Sequence, residues 1–342
     1  MKKIAVRLPN WLGDTVMAVP TLVALRATWP AAELLAAGPW APLLAGQGLA
    51  EVLMAYPRTT SARLRGADAV ARFGPELTLV LPNSFEAALA AWYSGARRRI
   101  GLGRGGRAWL LTDTVPWPEP RPHQIDEYLL LSEHAGAATR TREPRLAPPA
   151  ADTPERADVA RLLDASGVPS RRTSLRIGIQ LGAAYGPAKL WPVERVIDFC
   201  RLAAGEGATA VLLGAPDDVT TASQITAAVP VASLVGRDRP ALLGAVLTEL
   251  DALVSGDTGV AHLAAALDVP VVTLFGPTDP RLSAPRGVST TVVSHPVPCA
   301  PCFYRACPIE HPCLRGVQAA TVYERVLALI EERRGSPEAL RV

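Results

Sequence analysis

Three short segments carry the residues whose types and spacing could do chemistry. The first is Arg7-Leu-Pro-Asn-Trp-Leu-Gly-Asp14, which follows an apolar run at 4–6 and leads into an Ala-rich segment at 15–29. This is the pattern of strand, glycine-containing turn and helix, with a carboxylate where the helix begins. Ligands of open α/β sheets gather outside the carboxyl ends of strands. Asp14 therefore stands where a general base would face a substrate, with helix capping as the plain alternative. The second segment is Gly182-Ala-Ala-Tyr-Gly-Pro-Ala-Lys189-Leu-Trp-Pro192, a loop with one lysine just before a helix expected from 192 or 193. Its backbone N–H groups and point charge suit phosphates, although the G-x-x-x-x-G-K-[ST] order of a P-loop is absent. The third is Ser255-Gly-Asp257-Thr258-Gly259-Val-Ala-His262. Here Thr258 and Gly259 would offer N–H groups at a helix amino end, where the dipole favours anions. Asp257 would serve equally as an N-cap, and a lone histidine such as His262 is more often structural. A further strand-end turn, Phe275-Gly-Pro-Thr278-Asp279, adds a hydroxyl and a carboxylate. Coincidence explains one such loop easily and several at one sheet edge poorly.

The elements that must position these residues are visible as short apolar runs at 4–8, 34–37, 77–81, 175–180, 210–213, 252–254 and 271–275. Ala/Leu-rich helical patterns lie between them, for example at 196–204 and 260–267. Strands alternating with helices imply βαβ units and parallel sheets, and a near-continuous apolar strand fits a sheet covered on both faces. Pro20 falls inside the first helical pattern and should kink that helix or delay its start. The Pro-rich stretch 144–174 marks a boundary, with a helix inside it whose N-cap is Thr153 and whose first residue is Pro154. The expected organisation is α/β: a Rossmann-like domain over 1–165, a second over 166–318, and a terminal helical segment over 319–342.

The bulk numbers agree. A chain of 342 residues has a prior of about two domains, and 49% hydrophobic residues suffice for two cores. A net charge of +3 gives no global field for nucleic acid. No apolar run approaches the roughly 18 residues of a membrane span. The opening residues imitate a signal peptide only until Arg7, Asn10 and Asp14 interrupt it, so a cytoplasmic protein is expected.

One motif is a decoy. Gly101-Leu-Gly103-Arg-Gly105-Gly106 satisfies G-x-G-x-x-G, but it neither closes a first strand nor opens a helix. It reads as a basic loop, because Arg97, Arg98, Arg99, Arg104 and Arg107 crowd into it between Trp92, Tyr93 and Trp109. Such a loop is either a solvated charged surface or a site for phosphate or carboxylate groups. Cys200 stands alone as a small apolar residue. Cys299, Cys302, Cys307 and Cys313 form a cluster open to three readings: a structural zinc site, a disulfide disfavoured in a reducing compartment, or free thiols in a Pro-rich loop.

The ordered set Pro9-Asn10-Trp11-Leu12-Gly13-Asp14, Gly186-Pro187-Ala188-Lys189-x-Trp191-Pro192 and Ser255-Gly256-Asp257-Thr258-Gly259-x-x-His262 resembles glycosyltransferase family 9, the ADP-heptose:lipopolysaccharide heptosyltransferases, and most of all its heptosyltransferase II branch. The resemblance covers nearly the whole chain. It implies a GT-B fold, two Rossmann-like domains with parallel sheets facing a central cleft, and a final helix that crosses back to the first domain. It implies an inverting transfer of heptose from ADP-heptose to a heptose of the lipopolysaccharide inner core. In that picture Asp14 is the base and Lys189 meets the diphosphate. Thr258 and Gly259 lie near the phosphates, and Asp257 and His262 line the donor sugar. Gly182 lies on the donor side with Ala183 and Ala184, which stand where the related heptosyltransferase I carries threonines and keep only backbone N–H groups, and Asp217 or Asp218 meets the ribose. Asn10, Trp11, Gly13, Arg97, Arg98, Arg99 and Arg104 are expected on the acceptor side. The resemblance further implies no cofactor and no metal, a lipid A–inner-core acceptor, peripheral attachment to the cytoplasmic face of the inner membrane by the arginines with Trp92, Tyr93 and Trp109, and a monomer. The rival readings are a GT-B transferase or epimerase for another nucleotide sugar, a non-catalytic Rossmann-like binding module, and an NAD-dependent oxidoreductase resting on the decoy glycines.

Overall fold

The computed structural model describes residues 1–56, 60–237 and 239–335. It resolves into two compact units, Met1–Leu146 and Ala147–Val342.

The first unit contains β1 (Lys3–Arg7), α1 (Leu12–Met17), α2 (Val19–Thr28), β2 (Glu33–Gly38), β3 (Val52–Ala55), α3 (Thr60–Phe73), β4 (Leu77–Val80), α4 (Phe85–Tyr93), β5 (Arg98–Leu102), β6 (Asp113–Val115) and α5 (Gln124–Ala135). Its sheet is parallel in every pairing and runs β3-β2-β1-β4-β5-β6. This is the Rossmann order, and the chain reverses direction across the sheet between β1 and β4. The expected effect of Pro20 is present: the helical pattern breaks at Ala18, which closes α1 and precedes α2, and Pro20 sits in the first turn of α2, where no N–H is required.

The second unit contains α6 (Pro154–Ala165), β7 (Arg176–Gln180), α7 (Val193–Gly205), β8 (Thr209–Leu213), α8 (Val219–Ala228), β9 (Ala232–Ser233), α9 (Leu243–Thr248), β10 (Ala252–Gly256), α10 (Gly259–Ala266), β11 (Val271–Phe275), α11 (Pro280–Ser283), β12 (Thr290–Ser294), α12 (Pro312–Arg315) and α13 (Ala319–Gly335). Its parallel sheet runs β12-β11-β10-β7-β8-β9, the same order, with the reversal between β7 and β10.

One boundary differs from the sequence expectation. Thr153 caps α6 by accepting from the Arg156 N–H, as expected. That helix belongs to the second unit rather than the first, because Arg156 pairs with Glu249 at 3.0 Å and donates to the Thr248 hydroxyl. Over its described residues, Ala319–Gly335, the last helix packs on the second sheet, and residues 336–342 of the segment expected to cross to the first domain lie outside the described residues. Val322, Tyr323, Val326, Leu329 and Ile330 join the core formed by Ile177, Phe199 and Val254, and Tyr323 meets Phe199 edge to face at 5.7 Å.

The basic segment is also not one loop. Arg98 opens β5, opposite Leu77, so Arg97, Arg98 and Arg99 lie at the amino edge of the sheet. Asp14 follows the carboxyl end of β1, and Arg104 follows the carboxyl end of β5. Four residues of strand, about 13 Å, separate Arg98 from the carboxyl edge.

Candidate active site

In the first unit the switch point lies beside Arg7 and Leu81, joined by a Leu81 N–H bond to the Arg7 carbonyl at 3.2 Å. Arg7 is buried there. Its guanidinium stacks on Tyr56 at 4.1 Å, donates to Asn10 Oδ1 at 2.8 Å and lies 3.8 Å from Glu86. Burial pulls the Arg7 pKa below its usual value, against the pull of Glu86. Asn10 is thereby held by its side chain, Trp11 is exposed at the start of α1, and Gly13 is buried within it.

Asp14 sits half-buried on the first turn of α1, where a carboxylate is favoured by the helix dipole. It is not the N-cap; Trp11 occupies that position without a side-chain cap. The buried Tyr128 of α5 donates its hydroxyl to the Asp14 carboxylate, and burial followed by the Asp14 charge raises the Tyr128 pKa well above the phenolic range. Tyr128 therefore remains a neutral donor. Nothing near Asp14 in the sequence announces this partner.

Two arginines of the basic segment have structural work. Arg107 is completely buried and donates to the carbonyls of Pro82, Ser84 and Leu102 and to Asn83 Oδ1, joining the turns after β4 and β5. Arg99 bonds the carbonyls of Leu110 and Ala96. Arg98 pairs with Asp113 at 3.2 Å. Arg104 is exposed and stacks on Trp117 at 4.2 Å. The structure thus brings Asn10, Trp11, Gly13, Asp14 and Arg104 to the carboxyl edge and leaves Arg97, Arg98 and Arg99 at the other.

In the second unit the loops after β7 and β10 meet at the switch point. Lys189 Nζ donates to Asp257 Oδ2 at 2.5 Å and to the Asp257 carbonyl at 3.1 Å, and it lies 4.6 Å from the Tyr185 ring. Asp257 Oδ2 also accepts from the hydroxyls of Thr278 at 2.8 Å and Ser283 at 3.4 Å. Asp257 is therefore the centre of a polar cluster and not a helix cap. The N-cap of α10 is Thr258, whose hydroxyl turns to Ser255 Oγ at 2.8 Å and leaves the first turn without a side-chain cap. Gly259 begins the helix, and His262 is buried one turn further on. Gly256 must be glycine, because a Cβ there would come within 2.6 Å of the Lys189 carbonyl.

Asp218 and Asp217 separate cleanly. Asp217 is exposed. Asp218 fills the notch left by Gly182 and Gly214, where a Cβ would come within 2.1 and 2.8 Å of its Oδ2. It accepts from the Ala215 N–H at 2.9 Å, and burial raises its pKa.

The cysteine segment braces this site. Tyr185 donates to the Phe303 carbonyl at 2.5 Å, Ala188 N–H to the Arg305 carbonyl at 3.0 Å, and Phe303 N–H to the Pro277 carbonyl at 2.7 Å. The lysine loop and the 276–279 turn are thus tied to one strap. All four cysteines are free thiols, and no group of three or more metal-ligating side chains is assembled among the described residues.

The sequence profile of glycosyltransferase family 9 (heptosyltransferase) matches residues 69–312. The chain belongs to glycosyltransferase family 9. Among relatives of this family 9 chain, lipopolysaccharide heptosyltransferase 2 of Salmonella typhimurium is 29% identical over 310 residues, covering 85% of this chain and 87% of that one. The Escherichia coli heptosyltransferase 2 is 28% identical over the same shares. The structure of E. coli ADP-heptose lps heptosyltransferase II superposes with a TM-score of 0.81 at 25% identity, covering 98% of this chain and 100% of that one. The E. coli heptosyltransferase WaaC with ADP shares the fold, with a TM-score of 0.69 at 16% identity, over 96% and 99% of the two chains. The GT-B assignment and the reading as a glycosyltransferase therefore stand. The oxidoreductase reading falls, because Gly101 lies inside β5 and the decoy glycines follow no first strand.

Proposed function

We propose that this glycosyltransferase moves heptose from ADP-heptose to a heptose of the lipopolysaccharide inner core, as a heptosyltransferase of type II. The observation that carries the reading is the second-unit switch point. There Lys189, the amino end of α10 and the glycine-bearing loops converge on the crevice where dinucleotide-type ligands sit.

The chemistry follows from the groups present. An acceptor hydroxyl attacks the anomeric carbon as the bond from that carbon to the diphosphate oxygen breaks, and a single displacement inverts the configuration. Asp14 takes the hydroxyl proton, a contribution of roughly 10²–10⁴ in rate. Negative charge grows on the departing ADP. An ammonium has three N–H donors, and Asp257 occupies two of those of Lys189. The third serves a phosphate oxygen, beside the N–H groups of Thr258 and Gly259. Lys189 thus stands between the Asp257 carboxylate and the diphosphate and shields one from the other. Asp218 takes the ribose hydroxyls from its glycine notch, Ala183 and Ala184 contribute backbone N–H groups only, and His262 lies toward the sugar. Because Lys189 and a helix terminus supply the positive charge, the mechanism has no step that calls for a divalent ion or cofactor. Asn10, Trp11, Gly13 and Arg104 face the acceptor.

The acceptor is anchored in lipid, so we place the protein at the cytoplasmic face of the inner membrane as a peripheral monomer. No helix among the described residues is long and apolar enough to cross a membrane. The test is transfer from ADP-heptose to a core acceptor bearing one heptose, with UDP- and GDP-sugars as controls. Product with the ADP donor alone supports the reading, and product only with another donor overturns it.

A further inference from the structure

Helix α4 is built inside out. Its small residues Ala87, Ala88 and Ala91 are buried against Val80, Leu110 and Leu111. Its large residues Phe85, Leu89, Trp92 and Tyr93 face outward at the i, i+4, i+7, i+8 spacing of one helical stripe. Trp109 extends the stripe, with its ring 6.1 Å from Phe85, and the five side chains are between 41% and 69% exposed. A contiguous exposed apolar patch marks an interaction surface, whereas scattered exposed leucines do not.

The charges around the stripe select its partner. Arg65 and Arg72 of the adjoining α3, and Arg97 just past α4, are exposed and carry no ion pair among the described residues. The acidic side chains beside the stripe are engaged: Asp68 accepts the Tyr93 hydroxyl at 2.6 Å and Glu86 the Tyr56 hydroxyl at 2.8 Å. Residues 1–146 hold 17 Lys and Arg against 12 Asp and Glu, while the remainder of the chain holds 18 against 20. Tryptophan and tyrosine beside arginine is the composition of a membrane–water interface. A second copy meeting the same face about a two-fold axis would set these arginines against their own equivalents.

We propose that the α4 stripe is a docking surface for an anionic lipid bilayer. Phe85, Leu89, Trp92 and Trp109 enter the headgroup region, and Arg65, Arg72 and Arg97 pair with lipid phosphates. The carboxyl-edge end of α4 is tied through Glu86 to Arg7, whose guanidinium also holds Asn10, so docking would deliver the acceptor side of the enzyme to the lipid. Only this last consequence rests on the proposed function. The surface replaces the basic loop expected from the sequence: Arg97 keeps a membrane role, while Arg98 and Arg99 are occupied within the fold.

The experiment is co-sedimentation of the full chain with vesicles of phosphatidylethanolamine and phosphatidylglycerol, against vesicles of phosphatidylcholine. The expected result is binding to the anionic vesicles alone, weakened by salt. Leu89→Gln with Trp92→Gln should lower partitioning about tenfold or more, with an unchanged melting temperature and unchanged transfer to a delipidated, water-soluble acceptor. Arg72→Gln with Arg97→Gln should weaken binding and flatten its salt dependence. Equal binding by wild type and the Leu89/Trp92 variant overturns the proposal. So does a wild-type dimer in light scattering that the same variant dissociates. Vesicle binding with no heptose transfer would leave the surface standing and remove the enzymatic reading.

Discussion

Lys189 and Asp257, 68 residues apart in the chain, form a nearly buried ion pair with Nζ 2.5 Å from Oδ2. Taken singly, each residue points toward the donor, the lysine to phosphate and the aspartate to sugar. Together they form one unit in which the aspartate orients the lysine and the lysine neutralises the aspartate. Removing one member should therefore do more harm to the fold than removing both. Lys189→Ala strands a carboxylate that is only 7% exposed and should cost about 3 kcal/mol of stability or more. The double variant Lys189→Ala with Asp257→Asn should recover most of that loss but none of the ADP affinity. Thermal melting and calorimetric titration with ADP, run on both variants, separate the two effects. Equal melting temperatures for the single and double variants would contradict the pairing.

The Asp14–Tyr128 contact makes a second pair with unequal roles. Asp14→Asn should lower kcat by roughly 10²–10⁴ with little change in donor KM. Tyr128 acts through Asp14 as a positioning residue, so Tyr128→Phe should lower kcat only severalfold. The loss should fall on kcat, with donor KM and melting temperature unchanged. A merely structural tyrosine would lower the melting temperature and leave the kcat of the folded enzyme in place. Because Tyr128 itself ionises well above the phenolic range, no alkaline limb near pH 10 should belong to it.

What the sequence discloses of this molecule follows from the range of each interaction. The seven apolar runs are strands because each is a local pattern, buried on both sheet faces. The Pro20 break and the Thr153 cap are legible for the same reason. β5 is not, since Arg98 and Arg99 open it and Gly101 interrupts its apolar run. The five arginines then look like one basic loop, although a strand divides them between opposite sheet edges. Motif residues at the two switch points are legible in position but not in partnership. Nothing local ties Tyr128 to Asp14, or Arg305 to the lysine loop, since those contacts exist only after both sheets have formed.

Asp218 offers a test of which acidic residue meets the ribose. Asp218→Asn should weaken ADP binding about tenfold through loss of a carboxylate acceptor, while Asp217→Asn should leave it unchanged. The pH dependence has a definite sign. Burial raises the folded-state pKa of Asp218, so its contribution to stability is fully present below the unfolded value of about 3.9 and is lost as pH rises through the higher folded value. At neutral pH the native carboxylate is therefore a burden. Asp218→Asn should melt higher than wild type at pH 7, and the difference should shrink as the pH falls toward 4. A difference that grows on acidification would reverse the assignment.

Arg107 and its sequence neighbours should behave oppositely. Arg107 has no exposed surface and holds the Pro82, Ser84 and Leu102 carbonyls with one planar fork. Arg107→Ala leaves these acceptors without their protein donor, at about 1–3 kcal/mol for each group left unsatisfied. Urea unfolding of the first unit, followed by tryptophan fluorescence, should show a loss of about 3 kcal/mol or more. Arg107→Lys should restore little, since an ammonium cannot reproduce the fork. Arg98→Gln, by contrast, removes a 3.2 Å pair with Asp113 and two long 3.4 Å bonds to the carbonyls of Ala135 and His134 at a partly exposed position, the pair being typically worth about 1 kcal/mol or less. It should leave acceptor KM unchanged, because Arg98 lies at the edge of the sheet opposite Asp14. A large rise in acceptor KM for Arg98→Gln would return the amino-edge arginines to the acceptor site and would contradict the strand register that places them away from it.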